Sequence, residues 1–342
     1  MDIQDYLQQD VENMLKFDLE WEKLQGKSIL VTGATGLLGT MICKALSAIS
    51  IKKEWEFKIF ASARNIENLK KRLGNIVKNQ NVFLLEQDIK NPIKVEGDID
   101  YIIHTASPTA SQIFINNPVE TVEDIVIGTN EVLRFARENQ CKSIVYLSSM
   151  EVYGQILDEK LLKPKDVGYI NPINVRSSYS EGKRMAENLC IGYFQEYDMP
   201  VKIVRLAQTF GPGIAKTDKR VFAQFLSSAL NNQDITLFTT GGAKRMYLDT
   251  MDAVSACLAI LLNGESGQVY NAANPDTYCS IKDMAEMVLK EYGNEKCQVI
   301  IDESKNIGQY PPDNMLRLDV SLLQKLGWKP QYGLKEMYGR MN

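Results

Sequence analysis

Tyr179 and Lys183 stand four residues apart in the run Tyr-Ser-Glu-Gly-Lys, a spacing that puts a phenol and an ammonium on one face of a helix. An unperturbed phenol titrates at about 10, too high for a base at neutral pH. A nearby ammonium favours the phenolate, so Lys183 is expected to lower that value until Tyr179 can take a hydroxyl proton. The spacing alone is cheap, since Tyr278 with Lys282 and Tyr292 with Lys296 share it. What sets Tyr179 apart lies upstream. The apolar run 144–147 ends in Ser148-Ser149-Met150-Glu151-Val152-Tyr153-Gly154, and an open parallel sheet binds its ligands at the carboxyl ends of its strands. From there Ser149 is expected to donate a hydrogen bond to a substrate oxygen and to Tyr179.

A second constellation is Thr32-Gly33-Ala34-Thr35-Gly36-Leu37-Leu38-Gly39, between the apolar run 28–32 and a helical stretch over 37–48. Gly33 permits a tight turn, Gly36 lets backbone N–H groups approach a pyrophosphate at the helix N-terminus, and Gly39 lets helix and strand pack closely. A glycine triplet between a strand and a helix points to a dinucleotide. The end of the second strand discriminates cofactors, because an acid there holds a ribose 2′-hydroxyl and an arginine accommodates a 2′-phosphate. The run Phe60-Ala61-Ser62-Ala63-Arg64-Asn65 has one arginine and no acid. NAD and NADP both stay open on Arg64, which is equally readable as a solvated loop residue. Asp88, followed by Ile89, is placed to meet an adenine amino group or to cap its own loop.

The elements that must position these groups follow from the rest of the 342 residues, enough for two domains or one large α/β domain with a lobe. Short apolar runs at 28–32, 57–62, 82–85, 101–104, 143–148 and 201–206 alternate with helical segments near 65–78, 119–139 and 178–197. That alternation predicts an α/β fold: a doubly wound, Rossmann-type parallel sheet. Beyond 207 the rhythm is irregular, with short helices near 219–231, 252–263, 280–292 and 319–326, which predicts a smaller mixed α/β substrate lobe. The expected division is a helical extension over 1–25, a dinucleotide-binding domain over 26–206, and a substrate lobe over 207–342 interleaved with the sheet. Over residues 3–24 apolar side chains recur at helical spacing and predict an amphipathic helix packed on the body.

Composition narrows the chemistry. Net charge is −4 with no long basic run, which argues against nucleic acid or an anionic membrane as partner. The one histidine, His104, rules out a His-rich zinc site, and no metal is expected. Six cysteines without a C-x-x-C pair suit reduced thiols in a cytoplasmic protein. The acidic N-terminus is unlike a signal peptide, and the apolar stretch 253–262 is about half a membrane span.

With these parts assembled, the sequence resembles the extended short-chain dehydrogenase/reductase family of nucleotide-sugar epimerases, dehydratases and decarboxylases. The resemblance runs from about residue 26 to 330 and rests on T-G-A-T-G-L-L-G, I-I-H-T-A-S (102–107), S-S-M-E-V-Y-G (148–154), Y-S-E-G-K-R (179–184) and L-G-W-K-P (326–330). Its branch of UDP-glucuronate decarboxylases is the most similar, through H-T-A-S-P (104–108), N-P-I-N-V-R-S-S-Y-S-E-G-K-R-M-A-E (171–187) and T-F-G-P (209–212). The resemblance implies that Tyr179 and Lys183 are the catalytic pair, Ser149 their hydroxyl partner, and Glu151 an acid/base near sugar C5. It implies cofactor contacts from Thr35, Leu37, Leu38, Thr105, Ala106 and Ser107. It implies substrate contacts from Gln208 and Val221, with Arg245 and Arg317 on the phosphates, where a planar fork of donors suits the oxygens. Arg176 is placed to reach the ligand or, equally, to form a structural salt bridge.

All candidate reactions begin by oxidising a sugar hydroxyl, at C4. Decarboxylation ranks first, 4-epimerisation second and keto-sugar reduction with NADPH third. Dehydration ranks lower, because the acid preceding the glutamate in related thymidine-sugar enzymes is Met150 here. A dinucleotide-sensing scaffold is the non-enzymatic alternative. By the same resemblance, helices 119–139 and 178–197 pair with their copies in a homodimer, using apolar residues such as Val126, Leu133, Leu189, Ile191 and Phe194.

Overall fold

A strand buried on both faces must lie in a sheet with helices above and below, and the runs around the glycine turn are of this kind. The computed structural model describes residues 3–109, 111–305 and 313–341. Its main sheet has seven strands, β1 (Ser28–Thr32), β2 (Lys58–Ala63), β3 (Val82–Glu86), β4 (Tyr101–His104), β5 (Ser143–Ser149), β7 (Val201–Leu206) and β11 (Val269–Ala272). They are ordered β3-β2-β1-β4-β5-β7-β11, every pair parallel. Strand order reverses between β1 and β4, so the crevice at their carboxyl ends is the place where such sheets take ligands.

Side chains alternate across β1. Ile29 and Val31 face one layer with helices α2 (Leu37–Lys53), α3 (Ile66–Leu73) and α8 (Thr250–Asn263). Leu30 faces the other, with α4 (Ser111–Asn116), α5 (Pro118–Glu138) and α6 (Ser177–Tyr197). Helix α8 is apolar all round because it is buried all round, which accounts for the stretch 253–262.

The remaining strands build the lobe. β8 (Gln208–Phe210), β10 (Lys244–Asp249), β12 (Asn274–Ser280), β14 (Met315–Leu318) and β6 (Leu161–Leu162) form a mixed sheet ordered β12-β10-β14-β6, with β8 also on β10. Helices α7 (Val221–Leu230) and α9 (Ile281–Tyr292) pack there with the small pair β9 (Ile235–Leu237) and β13 (Val299–Ile301). The chain passes repeatedly between the two bodies: β6 joins the lobe before β7 returns to the main sheet, and β11 returns again between β10 and β12.

The N-terminal helix is shorter than the pattern suggests. α1 covers Ile3–Met14, followed by a 3₁₀ turn at Trp21–Leu24. Leu15, Phe17, Leu19 and Trp21 are spaced two apart, and all four pack on the core, so the segment after Met14 follows its burial and leaves the helix. The Trp21 indole N–H donates to the Phe17 carbonyl at 3.2 Å.

Candidate active site

The glycine turn is built by contact with the residues that follow β4. Gly33 has φ +68°, and a Cβ there would lie 2.6 Å from the Ala106 Cα. A Cβ on Gly39 would strike the Gly33 carbonyl and come 2.8 Å from the Thr105 Oγ1. The Thr105 hydroxyl donates to the Thr32 carbonyl at 2.7 Å, and Ala106 N–H reaches the Thr32 hydroxyl at 3.4 Å. Gly36 differs: a Cβ there would meet nothing nearer than the Gly33 carbonyl, 3.3 Å away. It is the N-cap of α2, and the first-turn N–H groups after it, from Leu37 and Leu38, have no acceptor within the helix. A pyrophosphate suits such a cradle of open backbone donors at a positive helix end. Ser107 turns away to the Pro108 carbonyl, 3.1 Å off.

Around the adenine end, Asp88 caps its loop, its Oδ1 accepting from the Lys90 N–H at 3.0 Å. It also lines a cleft at the end of β3 with Leu85, Gln87 and Asn91. Ile89 is buried and fills the space beside Gly128. Arg64 is 60% exposed and lies 3.5 Å from Asp124 and 3.7 Å from Glu120, both on α5.

Tyr179 and Lys183 do share a face of α6, both buried and directed at the end of β5. The Tyr179 ring stacks on Phe114 at 4.3 Å. The lysine's effect on the phenol is not the expected one. Burial, reinforced by the charge of Glu151, pushes the Tyr179 hydroxyl well above its ordinary value, with Ser149, Arg176 and Arg220 pulling the other way. The Lys183 ammonium donates instead to the Leu147 carbonyl at 2.6 Å and sits 5.9 Å from the centre of the Tyr179 ring. Burial lowers Lys183 itself to about 7. Burial therefore keeps the proton on the phenol and brings the lysine towards neutrality.

Ser149 caps a 3₁₀ turn (Met150–Tyr153), its Oγ accepting from the Glu151 N–H at 3.2 Å. Glu151 is gripped by the fork of Arg176, at 3.2 and 3.3 Å, and by the Ser180 hydroxyl at 3.3 Å. Of the two readings of Arg176, the structure shows the salt bridge, with the carboxylate beside it.

The lobe residues are more scattered. Gln208 opens β8 opposite Tyr247 and is half-buried, and Val221 begins α7 with its side chain exposed. Arg245 pairs with Leu316 across β10 and β14, while Lys244 pairs with Met315. That register sends Arg245 to one face of the sheet and Arg317 to the other, where it lies over the Tyr278 ring at 5.6 Å. The structure does not bring the two arginines together. The Arg245 Nε is buried and has no hydrogen-bond partner among the described residues.

Three participants escaped the sequence reading. Arg220 acts on Tyr179 from the lobe, with its guanidinium held by Asp218 at 2.8 Å and stacked over Phe222 at 4.7 Å. Phe114 supports the phenol. Glu187, one turn beyond Lys183, is paired in the interior with Arg205 at 2.7 Å. A signal for the last existed: an arginine inside the fully buried strand V-K-I-V-R-L requires a buried acid.

Residues 29–273 match the NAD dependent epimerase/dehydratase family. The chain is 30% identical over 313 residues to UDP-glucuronic acid decarboxylase 3 of Arabidopsis thaliana, across 90% of this chain and 86% of that one. To UDP-glucuronic acid decarboxylase 6 of the same plant it is 31% identical over 316 residues, across 90% and 85%. Its fold is similar to that of DesIV, a dTDP-glucose 4,6-dehydratase from Streptomyces venezuelae with NAD and TYD bound, with TM-score 0.76 and 20% identity over 92% and 95% of the two chains. Glycine turn, strand-end serines and the Tyr179–Lys183 helix all fall inside the matched span, in the order the fold assembles them. The chain belongs to the NAD-dependent epimerase/dehydratase family, as an enzyme of the extended short-chain dehydrogenase/reductase type.

Proposed function

We propose that this enzyme, with NAD, removes carbon dioxide from a nucleotide-linked uronic acid such as UDP-glucuronate, by way of a 4-keto sugar. The observation that carries the reading is the convergence of Tyr179, Lys183, Ser149 and Glu151 at the carboxyl end of β5, beside the open cradle of the glycine turn. Decarboxylases among the relatives support the choice of reaction.

The cradle of Gly36, Leu37 and Leu38 would hold the cofactor's pyrophosphate, with Thr35, Thr105 and Ala106 around it. Bound NAD supplies a hydride acceptor and donor beside the sugar. Tyr179 takes and returns the proton of the C4 hydroxyl, and Ser149 donates a hydrogen bond to the same oxygen. Lys183, while protonated, favours the phenolate and repels a second proton. A carboxylate on C5 becomes β to the new ketone and leaves readily, after which Glu151 or its water returns a proton to C5. Met150 offers no acid for expelling a C6 hydroxyl, which speaks against dehydration.

Arg64 favours NAD over NADP in this reading. It is already flanked by Glu120 and Asp124, whose charge opposes a 2′-phosphate. Residues 26–206 serve the dinucleotide and 207–342 mainly the sugar nucleotide, Arg220 and Arg245 being the lobe cations for its anionic groups. In this reading a second copy would cover the outer face of α5 and α6. Leu133 is buried within the chain and Phe194 packs on Gly267, so the contact falls to the exposed Val119, Val122, Ile127 and Met185. Six unpaired cysteines support a cytoplasmic setting. Among the described residues no helix is long and apolar enough to cross a membrane.

Incubating the NAD-supplemented protein with UDP-, GDP-, CDP- and dTDP-sugars, followed by mass spectrometry, tests the assignment. Loss of carbon dioxide from a uronate supports it. Loss of water indicates dehydration, and an altered sugar of unchanged mass indicates epimerisation.

A further inference from the structure

We propose that Glu187 is a positioning residue for Lys183, holding that side chain in its charged form against the end of β5. The inference rests on the reading of Tyr179 and Lys183 given above, and it adds a residue that takes no part in that chemistry directly.

The geometry is a clamp of two rungs. Lys183 and Glu187 are one helical turn apart on α6, and both are buried, at 3% and 7% exposure. Lys183 donates to the Leu147 carbonyl at 2.6 Å, and the next residue of the strand, Ser148, donates its hydroxyl to the Glu187 Oε1 at 2.5 Å. Successive turns of the helix therefore grip successive residues of β5, immediately before Ser149. Arg205 on β7 fixes the lower rung from the other side. Its Nε donates to Oε1 at 2.9 Å and its NH2 to Oε2 at 2.7 Å. Its remaining NH1 reaches the Pro164 carbonyl at 2.6 Å, and the guanidinium lies over the Tyr153 ring at 4.8 Å. Both carboxylate oxygens are thus bonded, one of them twice.

Stability alone does not explain such a pair, since apolar residues of the same volume commonly serve as well in a core. What an apolar pair could not supply is a negative charge one turn from a buried ammonium. Lys183 faces Tyr146 from β5, whose ring is 4.8 Å away, and Tyr179 and Cys190 from its own helix. On β4 it faces His104, which burial and Lys183 itself hold down to about 3 and therefore neutral. From α5 comes the Thr129 hydroxyl, 3.2 Å from His104. Arg205, from β7, is turned to the Glu187 carboxylate. Against burial, which drives Lys183 to lose its proton, Glu187 is the strongest opposing influence.

Two variants test this, each by ¹⁵N NMR titration of the Lys183 amine and by the pH profile of kcat/KM with UDP-glucuronate. Glu187→Gln removes the charge but leaves Arg205 unpaired. The double variant Glu187→Met, Arg205→Met removes the pair and keeps the core filled, so it serves if the first does not fold. The midpoint of Lys183 is expected to fall by about one pH unit or more in either variant. The alkaline limb of kcat/KM is expected to move down with it, with activity largely recovered below the new midpoint. An unmoved midpoint in a folded variant overturns the proposal, as does a rate lost equally at every pH. A shifted midpoint with an unshifted rate profile upholds the coupling and overturns the role given to Lys183 in the reaction, so the two claims fail separately.

Discussion

At the scale of single residues, the site is governed by burial before charge. Tyr179 is held protonated and Lys183 is brought to about 7, from 10.5, because both lie inside the protein. The lysine's consequence for stability has a definite sign. Its lowered value means the unfolded chain binds the extra proton between about 7 and 10.5, so stability from this group rises with pH across that window and is lost as pH falls through 7. Lys183→Met abolishes that dependence. Melting curves of the two proteins are expected to show the variant's relative advantage largest near pH ~6 and shrinking towards pH ~9. Turnover in the same variant is expected to fall by about two orders of magnitude or more. An equal difference in melting temperature at both pH values would show that the lysine is not buried as a charge.

At the scale of elements, the three glycines separate packing from binding. Gly33→Ala forces a Cβ into the backbone of Thr105 and Ala106, Gly39→Ala into Gly33, Ala34 and the Thr105 side chain, and Gly33 also has a left-handed φ. Each is expected to cost about 1–3 kcal/mol of stability, seen as a lower melting temperature. Gly36→Ala, with only one neighbour at 3.3 Å, is expected to melt near the wild type yet lose most NAD affinity by calorimetry. If Gly36→Ala bound NAD normally, the cradle would have to be sought elsewhere. The same elements show why much of the fold was legible. Strands 28–32, 101–104 and 201–206 are buried on both faces, so short runs rich in Val, Ile and Leu marked their bounds. The lobe strands were missed because polar residues break their pattern; Lys244–Asp249 opens with two charged residues, and Asn274–Ser280 carries a proline. Tyr179, Lys183 and the glycines announced themselves by local spacing. Arg220, and the pairing of Glu151 with Arg176, depend on chain segments far apart in sequence, which no local pattern encodes.

At the scale of the whole molecule, the two chain ends are tied into the lobe. Asp10 of α1 accepts from Arg340 at 2.8 Å and from the Tyr332 hydroxyl, and Arg340 also reaches Asp249 at 3.1 Å. Asp249 ends β10 directly behind Gly211, whose missing Cβ would lie 2.5 Å from its Oδ2. Burial raises Asp249 to about 6, with Arg340 restraining the rise. Stability from such a raised carboxyl is present below its unfolded value of 3.8 and is lost as pH climbs through 6. Arg340→Met leaves two buried acids without their cation. It is expected to cost about 3–5 kcal/mol in denaturant unfolding at neutral pH, and less at pH ~5 where Asp249 keeps its proton. On the opposite side, Ile127→Asp places a charge on the exposed apolar face of α5. Light scattering is expected to show the wild type as a dimer and this variant as a monomer with an unchanged fold; a monomeric wild type would remove the second copy from that face.

All of this converges on the phenol of Tyr179 acting on a sugar hydroxyl, and Tyr179→Phe tests it with one missing oxygen. The NAD-supplemented wild type and variant are to be given UDP-glucuronate and their products weighed by mass spectrometry, with NAD binding measured in parallel. The expected result is a product lighter by carbon dioxide from the wild type, and almost none from a variant that still binds NAD. Undiminished conversion by the variant would contradict the account.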